Sequence, residues 1–217
     1  MNTILAIDSF SSLFSAALLY KEELFYIESD AQLRQSELAM VFIDDLFKKA
    51  NIKPNELNGV LCMQGPGSFT GLRIGYSIAK GLALSLSIPF AAVPTLDCIA
   101  LNYSGLTFAV TEAIKSCCFY AVFDNGKRLT EDKEGSFHSI AEEVEIYLKK
   151  APNIAITGKF SPLLNESLLC FADKVTINNE KRGYAKDILT IAKNRKILDN
   201  DCDAYLFEGP QYLRNSV

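Results

Sequence analysis

A single histidine, His138, limits the chemistry open to this chain of 217 residues. A metal pair such as HxxxH or HExxH cannot be built from one imidazole. A Ser–His–Asp or Cys–His relay would have to run through His138 itself. Its surroundings, Gly135-Ser136-Phe137-His138-Ser139-Ile140, read as a helix N-terminal turn, and no GxSxG elbow is present. The cysteines, Cys62, Cys98, Cys117, Cys118, Cys170 and Cys202, make no CxxC pair and no zinc-ligand spacing. They read as small core residues of a reduced protein. No pair of carboxylates stands out by spacing. Asp8 ends the apolar run Ile4-Leu5-Ala6-Ile7, where a carboxylate can accept backbone N–H bonds from the next turn. An all-carboxylate or all-lysine mechanism stays open, while a histidine-based catalyst, a metal-ligand set and a resident cofactor are not expected.

The most informative segment is Gln64-Gly65-Pro66-Gly67-Ser68-Phe69-Thr70-Gly71-Leu72-Arg73-Ile74-Gly75. A buried strand ends in a Gly-Pro-Gly turn and a helix begins, with Ser68 or Thr70 as its cap. Such a turn can hold an anion at a helix N-terminus. It is neither a Walker A loop nor GxGxxG, because no GK[ST] follows and the glycine spacing is wrong. Gly71, Gly75, Ala79 and Ala83 then recur every fourth residue as a smooth stripe. Small residues at this spacing let another backbone come close. That backbone belongs either to the chain's own sheet or to a partner helix. Ile74, Ile78 and Leu82, on the opposite side, also want cover. The preceding helix, Gln35 to Ala50, carries Leu38-Ala39-Met40-Val41-Phe42-Ile43, apolar around most of its circumference. Leu38, Val41 and Phe42, with Gly71, Arg73, Gly75, Ile78 and Ala79, are therefore the candidate partner-binding residues.

The elements that position these residues come in a repeated order. Ile4 to Asp8 reads as a buried strand, Ser15 to Tyr20 and Glu23 to Glu28 as a hairpin, Gln35 to Ala50 as a helix. Gly59 to Met63 reads as a strand and Thr70 to Leu86 as a helix. The order restarts at Thr107 to Thr111. Phe119 to Phe123 and Lys127 to Thr130 flank Asp124-Asn125-Gly126, and Asn-Gly is a strong hairpin signal. A helix near Ser139 to Lys150 and a strand at Ile154 to Thr157 follow. The pattern predicts an α/β protein of two like lobes, residues 1–102 and 103–217, with mixed sheets flanked by helices. The join falls in Ala100 to Gly105, and the C-terminal segment is expected to pack back on the first lobe. This duplicated, ribonuclease H-like arrangement is the one that actin-like ATPases use, and a shared fold does not establish ATP hydrolysis.

Composition narrows the classes further. Hydrophobic residues make up 49% and charged residues 22%, the balance of a globular protein with a sizeable core. The net charge is -4, so little is gained from phosphate counterion release. Lys193, Arg195 and Lys196 form a local basic group that reads as a solvated helix face. The first residues have no basic n-region and their apolar run stops at Asp8, unlike a signal peptide. The longest apolar stretch, Gly81 to Val93, is interrupted by Pro89 and too short to span a bilayer. A cytoplasmic protein is expected.

These residues also carry a family resemblance. Gln64 to Gly75, followed by Ala79-Lys80-Gly81-Leu82-Ala83, resembles the signature of the TsaB (YeaZ) family. Ile4-Leu5-Ala6-Ile7-Asp8-Ser9 resembles its first strand, Pro94-Thr95-Leu96-Asp97 its next strand-to-helix step, and Pro210-Gln211-Tyr212-Leu213-Arg214 its C-terminal ending. The resemblance implies an actin-like two-lobed fold and a non-catalytic scaffold and activator subunit. Its partners would be the paralogous TsaD subunit, the ATPase TsaE and the enzyme that makes threonylcarbamoyl-adenylate. Together they would place a threonylcarbamoyl group on N6 of adenosine 37 in ANN-decoding tRNAs, with tRNA met only through the complex. The isolated chain is a monomer or a homodimer.

Three places depart from the family's usual pattern: Asp8-Ser9-Phe10 where Asp-Thr-Ser is common, Gln35 where a His is common, and Glu112-Ala113-Ile114-Lys115 where Asp-Ala-Arg and a basic residue are common. Two other readings compete. An active actin-like ATPase or kinase would carry Asp-x-Gly after the first strand, and Asp8-Ser9-Phe10 lacks that glycine. A metalloprotease, an old label for relatives of this family, is opposed by the lone histidine.

Overall fold

The computed structural model describes residues 3–30, 34–114, 116–199 and 208–213. In chain order the elements are β1 (Ile4–Asp8), β2 (Leu13–Tyr20), β3 (Glu23–Asp30), α1 (Gln35–Ala50), β4 (Gly59–Gly65), α2 (Phe69–Leu86), β5 (Phe90–Pro94) and α3 (Thr95–Ala100). They continue with β6 (Leu106–Glu112), β7 (Cys117–Asp124), β8 (Lys127–Arg128), β9 (Lys133–Ser136), α4 (Phe137–Leu148), β10 (Ile154–Lys159), α5 (Leu163–Ser167), β11 (Val175–Asn179) and α6 (Ala185–Asn194). The chain divides into two compact units: residues 1–98 with 182–211, and residues 99–181 with 212–217.

In the first unit the sheet runs β3-β2-β1-β4-β5, with β1 antiparallel to β2 and parallel to β4. In the second it runs β11-β10-β6-β7-β8, with β9 also on β7, and β6 antiparallel to β7 and parallel to β10. Matching β6 to β1, β7 to β2, β10 to β4 and β11 to β5 makes the two orders the same, so the fold is duplicated. This is the actin-like, ribonuclease H-like architecture.

The local chemistry explains the elements. All of β1 is buried, since helices cover both faces of its sheet and a central strand then reads as unbroken apolar residues. Both hairpin turns use paired positive φ, Lys21 (49°) with Glu22 (67°) and Asn125 (50°) with Gly126 (75°). That geometry matches the right-handed strand twist. Helices α1 and α2 end in left-handed residues, Asn51 and Ser87. Ser68 caps α2 by accepting from the Gly71 N–H at 3.3 Å, and Ser136 caps α4 from the Ser139 N–H at 3.1 Å.

Each unit has its own core. On one face of the first sheet, Ala39, Ile43, Leu46 and Phe47 of α1 and Tyr76, Ala79 and Ala83 of α2 pack with Leu5, Ile7, Val60 and Phe90. Each large aliphatic buried there contributes about 1.5–3 kcal/mol. Helix α6 packs on β1, β2 and β4 of the same sheet, although 84 residues separate α3 from it. In the second unit Phe108, Val110, Tyr120, Val122, Ile140, Val144 and Ile156 form the core.

Helix α1, apolar around most of its circumference, is buried along one side. Met40 is 47% and Val41 52% exposed. The sheet takes the Ala39–Ile43–Leu46–Phe47 side and leaves the outer turn in water.

Candidate functional site

The loop after β1 is where an actin-like enzyme would meet phosphate, and here it is filled by the chain itself. The Asp8 carboxylate is fully buried and accepts from the Phe10 N–H (3.3 Å), the Ser15 hydroxyl (3.1 Å) and the Tyr184 N–H (2.7 Å). Ser15 Oγ in turn accepts from the Ala185 N–H at 3.1 Å, and Glu28 Oε2 from the Gly183 N–H at 2.9 Å. Three successive N–H groups at the start of α6 are therefore met by side chains from β1, β2 and β3. This is helix capping done by tertiary structure, because Tyr184, at the cap position, makes no side-chain cap bond of its own.

Phe10 is buried, its ring 5.6 Å from that of Tyr184. Its carbonyl accepts from the Ser68 N–H at 2.9 Å, and a Cβ on Gly67 would lie 3.0 Å from its ring. The Gly-Pro-Gly turn thus packs against a side chain where a phosphate-binding loop would present backbone.

The small-residue stripe faces the same loop, which corrects the assignment of Gly71, Gly75 and Ala79 to a partner surface. A Cβ on Gly71 would lie 1.9 Å from the Ser9 carbonyl oxygen, and one on Gly75 2.6 Å from Ser9 Oγ. Ser9 Oγ donates to the Gly71 carbonyl at 2.8 Å. Ala79 and Ala83 are buried in the core. The close approach that small residues permit is used within the chain, and Gly75→Leu would probe folding, not docking.

The remaining candidates lie outward. Leu38, Phe42, Ile78 and Leu82 are half-buried against the core, while Val41 and Arg73 are exposed. The Phe42 ring stacks on buried Phe14 at 5.7 Å, so Phe42 serves the core as well as the surface. The Arg73 guanidinium sits 3.6 Å over the ring of Phe69, itself 40% exposed. With Met40 and Leu84, these residues give α1 and α2 an apolar outer side carrying a cation–aromatic pair. Ion pairs on α1, Arg34 with Glu37 (3.1 Å) and Lys48 with Asp44 (2.6 Å), are exposed and contribute little.

Titration follows the same geometry. The Tyr26 hydroxyl donates to Glu28 at 2.5 Å, and that bond, with the Gly183 N–H and nearby Lys186 and Arg182, holds the Glu28 carboxyl below the usual range. Burial and the same carboxylate push the Tyr26 phenol up. Burial raises the Cys62 and Cys98 thiols and pushes Cys118 up to about 12.

His138 is exposed on α4, 3.4 Å from Glu142 one turn on. Arg195, itself exposed, pairs with buried Asp97 at 2.6 Å, so that part of the solvated basic group also has a structural role. Of the three departures, Gln35 is buried and donates to the Ser11 carbonyl at 2.5 Å, while Ile114 is exposed. Sequence reasoning missed the Ser15, Glu28 and Tyr184 contacts, which join positions about 155 to 175 residues apart and leave no local signal. Among the described residues no group of three or more His, Cys, Asp or Glu is placed to hold a metal ion. Among them, too, no helix is long and apolar enough to cross a membrane.

Residues 29–181 match the family model described as "TsaD: tRNA N6-adenosine threonylcarbamoyltransferase". The chain is 32% identical over 137 residues to the tRNA threonylcarbamoyladenosine biosynthesis protein TsaB of Bacillus subtilis (strain 168), covering 59% of this chain and 58% of that one. It is 34% identical over 98 residues to the TsaB of Haemophilus influenzae, covering 45% and 42%. The matched stretches thus span about half the length of these curated relatives. Among solved structures, a protein with similarity to peptidase YEAZ from Pseudomonas aeruginosa superimposes with a TM-score of 0.79 at 18% identity, over 99% of this chain and 100% of that one. YeaZ from Pseudomonas aeruginosa gives 0.75 at 19% identity, over 98% and 100%. At such identities these two similarities speak for the fold.

Proposed function

Because this chain belongs to the TsaB (YeaZ) family, we propose that it is the non-catalytic scaffold and activator subunit for threonylcarbamoyl modification of adenosine 37 in ANN-decoding tRNAs. It acts by pairing with a TsaD-type paralog, with the ATPase TsaE and tRNA joining through the complex. The observation that carries this reading is the outer side of α1 and α2. Val41, Met40, Phe69 and Leu84 are exposed there beside half-buried Leu38, Phe42, Ile78 and Leu82. A TsaD-type paralog sharing the first-lobe fold would carry an equivalent helix pair, and two such pairs can close into a four-helix interface. In the isolated chain the same side can self-associate about a two-fold axis, so homodimer and heterodimer would compete.

The filled first-strand loop supports a non-catalytic role. Asp8 is engaged by three internal donors, and Phe10 stands where an enzyme of this fold presents backbone. An active ATPase or kinase is the competing reading, and no observation favours it.

Val41→Asp is the direct test, since Val41 is 52% exposed and its loss leaves the core intact. A charge buried opposite an apolar partner is costly. Calorimetric titration against the TsaD-type paralog should show binding weakened by about a hundredfold. Circular dichroism should match wild type. Unchanged affinity overturns the interface. ATP turnover by the purified chain alone overturns the non-catalytic role.

A further inference from the structure

Two segments far apart in the chain meet in the first unit. The Gln211 N–H donates to the Gln64 carbonyl at 2.8 Å, at the end of β4. The next residue, Gly65, has φ +115°, and a Cβ there would lie 2.5 Å from the Gln211 carbonyl oxygen. One helical stretch further, the Lys80 ammonium donates to the Glu208 carbonyl. That ammonium lies 5.6 Å from the Tyr76 ring and 5.7 Å from the Phe90 ring, which hold its stem against the core. Residues 208–211 are thus tied at both ends, once to the Gly-Pro-Gly turn and once to the middle of α2.

From these contacts we infer that residues 208–211 are a strap that fixes the turn from Gln64 to Ser68 and with it the first turn of α2. The turn needs such a tie. Gly65 and Gly67 give its backbone more freedom than other residues would. A strap bond to the Gln64 carbonyl removes part of that freedom from outside the turn. The first two turns of α2 carry Phe69 and Arg73, the exposed cation–aromatic pair. The strap therefore sets the orientation of two outward residues without touching a partner. It also accounts for Gly65, where any side chain would displace the strap backbone. That the pair serves docking rests on the function proposed above; the strap itself does not.

The test uses the full chain. Gln211→Pro removes the donating N–H, whereas Gln211→Ala keeps it and alters only an exposed side chain. Hydrogen exchange at the Ser68 and Gly71 amides should quicken about tenfold in Gln211→Pro and stay at the wild-type rate in Gln211→Ala. Amides of α1 should not change in either. Lys80→Met, which keeps the stem and loses the ammonium, should give a smaller increase at the same amides. It is the variant to read if Gln211→Pro fails to fold. Equal exchange in Gln211→Pro and Gln211→Ala overturns the strap, as does wild-type exchange in Lys80→Met where that variant must be read. Titration against the TsaD-type paralog separates the two ideas. Quickened exchange with unchanged affinity upholds the strap and removes Phe69 and Arg73 from the docking side. Loss of affinity with unchanged exchange overturns the strap.

Discussion

Gly71 and Gly81 stand in one helix and should respond to alanine in opposite directions. At Gly71 the new Cβ would meet the Ser9 carbonyl, a backbone atom that can move only if β1's loop moves. Urea unfolding should show a loss of about 3 kcal/mol for Gly71→Ala. At Gly81 nothing lies within 4 Å, so alanine only reduces the freedom of the unfolded chain, and Gly81→Ala should gain about 0.5–1 kcal/mol. Cysteine reactivity sorts by burial in the same way. Cys170 is exposed, while Cys62, Cys98 and Cys118 are buried with raised thiols. Only the thiolate reacts. Mass spectrometry after alkylation of the native protein should find Cys170 modified and the other three protected until urea is added. Cys202 lies outside the described residues.

Helix α6 is placed in part by charge. Its first N–H groups are met by Asp8, Ser15 and Glu28, and Arg182 pairs with buried Asp187 at 2.5 Å. Glu28 has a folded-state pKa below its unfolded value of about 4.3, so its contribution is full above that pH. It fades as pH falls through the lower, folded value. Thermal unfolding should therefore find Glu28→Gln less stable than wild type at pH 6. The gap should close as both are taken toward pH 3. Since Glu28 is exposed, the effect is small, and a gap that persists at pH 3 would assign it to packing.

Over the whole molecule, the first unit is discontinuous: residues 182–211 belong with residues 1–98. A chain ending at Lys181 would lose α6, uncover one face of the first sheet and leave the Asp8 carboxylate without the Tyr184 N–H. A carboxylate that has lost one of its donors and an open apolar face both favour a loosened state. Such a chain should bind a hydrophobic dye and lose near-ultraviolet dichroism, with far-ultraviolet signal largely kept. What the sequence determined by itself is local or periodic. The buried β1, the hairpin at Asn125-Gly126, the helix from Gln35 to Ala50, the strand–hairpin–helix repeat and the capped turn at Ser68 each follow from side-chain spacing and turn chemistry within a few residues. The lone histidine and the Phe10 in place of glycine limited the chemistry before any fold was known. Tertiary structure decided which side of each helix faces inward. Gly71 and Gly75 could have admitted a partner's backbone or their own, and only the position of the Ser9 carbonyl sent them inward. It also decided that Asp8 caps α6 and that Gln211 ties Gln64, because contacts between positions so far apart depend on how sheets and helices stack, a choice that no short window of residues encodes.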